Sequence, residues 1–99
     1  MSEPTRDEIL EKIASERRLL EEYEVRSLSL FGSIARGEAG EESDVDLLVE
    51  FSHPVGIFHF VRLKRALEAV LGRPVDLATA SSLKPQLRDR ILKEAIRAA

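Results

Sequence analysis

The sequence predicts a small α/β (α+β) domain with its elements in the order α-β-(short α)-β-α-β-α. Three observations carry this reading. Val25 to Phe31 and Asp44 to Phe51 alternate as strands do, and a Gly-Ser pair follows the first of them. Ile57 to Leu71 repeats its apolar residues at helical spacing and stops at Gly72. A short strand pattern, Val75 to Thr79, then leads into a last helical stripe. At 99 residues the chain is expected to form one domain, spanning 1–99, with little material left for a second lobe.

In chain order, Thr5 and Glu8 have the spacing of a capping box, with Pro4 just ahead. Ile9, Leu10, Ile13, Ala14 and Leu20 then predict a helix from about Arg6 to Glu22, its acids Glu21, Glu22 and Glu24 forming a solvated face. In the first strand Leu28 and Leu30 share a face. Gly32 ends that strand, Ser33 to Gly37 make one short helical turn, and Glu38 to Ser43 read as an exposed loop. In the second strand Val45, Leu47, Val49 and Phe51 face the core, which puts Asp44, Asp46, Leu48 and Glu50 on the opposite face. Pro54 sits in the next turn. Phe60, Leu63, Leu67, Val70 and Leu71 form the stripe of the following helix, with Pro74 beyond its Gly72 stop. Val75 and Leu77 point inward from the third strand, so Asp76 points outward. Ser81, Ser82 and Pro85 turn the chain into a last helix, where Leu87, Ile91, Leu92, Ala95 and Ile96 make an apolar stripe expected to join the core.

Composition narrows the function. A net charge of −3 argues against a broad nucleic-acid surface, which would carry a basic excess. It leaves room for a nucleotide whose phosphates are neutralised by a metal and an arginine or two. The chain has no cysteine, which removes disulfide and thiolate chemistry. No apolar run approaches the roughly 20 residues of a membrane span, and the N-terminus is not signal-like; the expected location is cytoplasmic.

The chemistry concentrates between Phe31 and Phe51, FGSIARGEAGEESDVDLLVEF. Gly32 would let a backbone approach a phosphate, the amides after it would donate to the anion, and the Ser33 hydroxyl would add a donor. Arg36, one turn on, could clamp the β- or γ-phosphate. Two carboxylates on one strand face, at about 6 Å and an effective dielectric of about 20, repel by about 2.8 kcal/mol. A divalent cation relieves that repulsion, and Asp44, Asp46 and Asp76 make a hard-oxygen set suited to Mg²⁺, which keeps phosphate oxygens as further ligands. Two such ions could activate an incoming hydroxyl and stabilise a pyrophosphate leaving group, with Asp76 helping to take the proton. Each piece alone is commonplace. The ordered combination is specific.

That combination, G-S-x(10)-D-x-D with a later strand aspartate, resembles the signature of the DNA polymerase β-like nucleotidyltransferase superfamily. Together with GRPVDLATASSLKP it is similar to the minimal nucleotidyltransferase (MNT) family, over almost the whole chain from about Thr5 to Ile96. The resemblance implies a polymerase β-like core with a three-stranded mixed sheet, without a separate base-recognition or primer-binding lobe. It implies the antitoxin of a toxin–antitoxin pair, whose partner is a HEPN-type ribonuclease, typically from the adjacent gene. The implied reaction transfers AMP from ATP to a tyrosine hydroxyl of that partner. Carried over by position, Gly32 and Ser33 would hold the triphosphate, Asp44 and Asp46 the magnesium ions, and Asp76 would be the third carboxylate; Arg36 carries over less directly. Two other functions remain open: neutralisation of a toxin by covering it, and nucleotidyl transfer to a small molecule. The second lacks a further domain to shape an acceptor pocket.

His53 and His59 have no metal-ligand partnership and are expected to be a turn and a helix-surface histidine. Phe58 and Phe60 cannot share one helical face, so one is expected at the surface, where a partner-binding patch is the less favoured of its two readings. Tyr23 gives no functional signal.

Overall fold

The computed structural model describes residues 5–40 and 43–99. Its elements are α1 (Arg6–Ala14), α2 (Arg17–Glu22), β1 (Val25–Phe31), α3 (Gly32–Ala35), β2 (Val45–Phe51), α4 (Ile57–Leu71), β3 (Val75–Ala78), a 3₁₀ turn (Ala80–Ser82), α5 (Pro85–Glu94) and β4 (Ile96–Arg97). The sheet runs β3-β2-β1-β4. β1 is antiparallel to both β2 and β4, while β2 and β3 are parallel and connected through α4, as a parallel pair requires.

One sheet face meets the helices and makes the core. Leu28, Leu30, Val45, Leu47, Val49, Val75 and Leu77 pack there with Ile9 and Ile13 of α1, Leu20 of α2, and Leu63, Leu67 and Leu71 of α4. This is the alternation expected for all three strands. α4 has the expected limits, and Gly72 caps it in the left-handed region at φ +67°. The Thr5 hydroxyl accepts the Glu8 N–H at the start of α1, as the capping pattern predicts.

Three expectations are corrected. The helix expected from Arg6 to Glu22 is two helices, broken at Ser15 and Glu16. The Ser15 hydroxyl donates to the Lys12 carbonyl at 2.7 Å, and the Glu16 N–H turns back to Ile13. A continuous helix would have aimed Glu16 or Arg17 at the core between Ile13 and Leu20; the break lets Leu20 bury without them. Second, the sheet has four strands, not three. Ala95 leaves the helix in an extended conformation, and Ile96 pairs with Leu30 rather than continuing the apolar stripe. Third, α5 contributes no buried residue, and Leu87 and Leu92 are exposed. Its stripe is not core.

The expected loop at 38–43 is exposed at Glu38 and Gly40; its Glu41 and Glu42, like Pro4, lie outside the described residues. Among the described residues no helix is long and apolar enough to cross a membrane.

Candidate active site

The acids gather on the sheet face that the helices leave open. Register aligns Phe31, Asp46 and Asp76 across β1, β2 and β3, and the next row on the same face is Ser29, Leu48 and Ala78. Asp46 and Asp76 are therefore direct neighbours on parallel strands. Asp44 lies one residue ahead of β2 and is exposed, so it belongs to the approach to the strand rather than to the strand itself.

Crowding of charge shows on Asp46. Its carboxyl is pushed up to about 6, first by partial burial and then by the charges of Asp76 and Asp44. A carboxylate so placed favours either a proton or a cation, and the neighbouring donors are hard oxygens of the kind Mg²⁺ takes. Among the described residues, no three His, Cys, Asp or Glu side chains already stand where they could together hold one ion. The acids form an open row rather than a closed cage.

The Gly-Ser turn meets this row directly. Gly32 is buried with φ +79°, and a Cβ there would fall onto the Asp46 carboxylate. The glycine thus makes room for its own protein's acid. Ser33 is partly exposed in the four-residue α3, and its carbonyl accepts the Glu38 N–H at 2.8 Å.

Arg36 is exposed at the end of that turn. Its Nε donates to Glu38 at 2.7 Å and its Nη1 to Glu94 at 3.2 Å. Sequence reasoning missed Glu94. It sits at the end of α5, and its Oε1 also accepts the Gly32 N–H at 3.2 Å. Nothing in a charged helix end of composition LKEA marks that role, because the partner lies 62 residues away.

Beyond Leu48 the open face continues as a groove of about 970 Å³, lined by Ser27, Ser29, Leu48, Ile57, Phe60 and Leu92 among others. None of the three aspartates lines it. Beside it Phe58 is 77% and Ile57 67% exposed, while Phe60 packs on Phe51, so the two phenylalanines divide as expected. The histidines have structural partners. His53 binds Glu24, and His59 donates to the Tyr23 carbonyl at 2.7 Å between the rings of Tyr23 and Phe51.

A Gly-Ser turn set against a row of strand acids on a small mixed sheet is the arrangement of a nucleotidyltransferase. The profile of the family described as "Nucleotidyltransferase domain" matches residues 9–98, and the chain belongs to that family. It is 43% identical over 83 residues to the protein adenylyltransferase MntA of Thermococcus cleftensis, covering 84% of each chain. A solved structure described, provisionally, as a minimal nucleotidyltransferase superposes with a TM-score of 0.81 at 38% identity, over 97% of this chain and 98% of the other. At 18% identity and a TM-score of 0.67, the same fold occurs in a complex of tri-AMPylated Shewanella oneidensis HEPN toxin with MNT antitoxin, over 92% of this chain and 71% of that one.

Proposed function

We propose that this nucleotidyltransferase transfers AMP from ATP, in a Mg²⁺-dependent reaction, to a tyrosine hydroxyl of a HEPN-type ribonuclease toxin, and so acts as its antitoxin in the cytoplasm. The observation that carries the reading is the juxtaposition of Gly32, Asp46 and Asp76 on one open sheet face. The named activity of the Thermococcus relative and the partner in the Shewanella complex support the choice of AMP and of a HEPN toxin.

In this reading Gly32 and Ser33 hold the triphosphate, and Arg36 neutralises charge on its outer phosphates. Asp44, Asp46 and Asp76 would hold magnesium, which supplies charge neutralisation at the phosphates and a more acidic acceptor hydroxyl. The acceptor oxygen bonds to the α-phosphorus and the bond from that phosphorus to the bridging oxygen breaks. Pyrophosphate leaves, and Asp76 helps to take the hydroxyl proton. The groove beyond Leu48 opens beside this row and gives a protein acceptor a route of approach along the same face.

Incubation with labelled ATP, Mg²⁺ and the helical protein encoded by the neighbouring gene tests the proposal. A mass increase of one or more AMP units on the partner, lost with Asp44→Ala plus Asp46→Ala, is the expected result; no transfer by the wild type refutes it. The exposed Ile57 and Phe58 favour a second reading, neutralisation by binding alone. It predicts that the double aspartate variant protects cells as well as the wild type does.

A further inference from the structure

Glu94 puts a carboxylate on the same donors that the nucleotide reading assigns to phosphate. Its Oε1 accepts the Gly32 N–H at 3.2 Å, and Arg36 Nη1 lies 3.2 Å and 3.4 Å from its two oxygens. Its side chain is 20% exposed, and of its two contacts the one to the Gly32 N–H is partly buried while the one to Arg36 lies in the open. We propose that Glu94 is a built-in competitor for the phosphate grip and sets the affinity of this site for nucleotide; the inference rests on the reading that Gly32 and Arg36 bind the triphosphate.

The chemistry is that of one anion standing in for another. A single backbone N–H serves one anionic acceptor at a time, and Arg36 already commits its Nε to Glu38. A phosphate oxygen arriving at Gly32 must replace Glu94 there, because two anions on the same donors repel as well as compete. Nucleotide therefore binds the fraction of molecules in which Glu94 has swung away, and its apparent affinity falls by that fraction.

The fold makes this exchange feasible. Glu94 is the last residue of α5, a helix that contributes no buried residue, and the chain turns extended at Ala95 immediately after it. Moving the side chain breaks its contacts with Gly32 and Arg36 but opens no part of the core. Arg36 keeps Glu38, so it stays at the turn when Glu94 leaves.

The test is calorimetric titration of Mg²⁺ and AMP-PNP, a non-hydrolysable ATP analogue, into wild type, Glu94→Gln and Glu94→Ala, with thermal melting of each. Binding roughly tenfold tighter in Glu94→Ala is expected. Glu94→Gln is expected to fall between, since it keeps an uncharged acceptor for the Gly32 N–H and loses only the charge. Equal or weaker binding in Glu94→Gln overturns the competition, whatever happens to the fold of the alanine variant, and makes Glu94 a positioning residue for Gly32 and Arg36. Absence of binding by the wild type and both variants is a different failure: it overturns the nucleotide reading, and the competition with it.

Discussion

Asp46 occupies the space that any side chain at position 32 would need. A Cβ on Gly32 would fall onto its carboxylate, and the φ of +79° at Gly32 is one that other residues adopt only under strain. The two halves of the motif, ten residues apart between Ser33 and Asp44, are in contact through Gly32 and Asp46.

Gly32→Ala is therefore expected to lower stability by roughly 2 kcal/mol or more, adding left-handed strain to the collision with Asp46. It should also abolish AMP transfer. Urea denaturation measures the first effect; an unchanged midpoint would mean that Asp46 can vacate the space without cost.

Asp46 makes stability depend on pH in a definite direction. Its folded-state value of about 6 lies above the ordinary 3.8, so the folded protein prefers it protonated. That preference stabilises the fold fully below about pH 4 and is lost as pH rises through about 6. Discounted for its partial exposure to water, the effect is of order 1 kcal/mol. Asp46→Asn should flatten this part of the profile and leave the metal-free variant more stable than the wild type near pH 7, with transfer lost. Urea titrations in chelator at the two pH extremes decide it.

Magnesium should raise the melting temperature of the wild type near neutral pH, because a ligand that binds only the folded acids stabilises it. The gain should shrink below about pH 6 as Asp46 takes a proton, and vanish in Asp44→Ala plus Asp46→Ala. A gain of equal size in that double variant would place the ion elsewhere.

Leu63 and Leu92 separate core from surface. Leu63 is fully buried, so Leu63→Ala should cost about 3–5 kcal/mol, whereas Leu92 is 47% exposed and Leu92→Ala should cost under about 1 kcal/mol. Comparable losses in the two variants would contradict an unburied α5.

Patterns carried by near neighbours were legible in the chain. The limits of α4, its Gly72 cap, and the inward faces of β1, β2 and β3 follow from spacings of two to four residues. The break at Ser15 was also present as a signal: no apolar residue falls between Ala14 and Leu19, where a continuous helix would face the core. β4 had no such signal, since two residues are too few to show alternation; Ile96 and Arg97 become a strand only because the edge of β1 is there to pair with them.

The sequence alone determined which faces are apolar, that Asp46 points away from Val45 and Leu47, and that a Gly-Ser turn precedes it, because side-chain direction follows directly from backbone repeat. Only the tertiary structure decided that register sets Asp46 beside Asp76, that Gly32 makes room for Asp46, and that Glu94 reaches back to Gly32. Those are contacts between distant segments, and they exist only once the sheet has fixed its strand order and α5 has returned to the turn after β1.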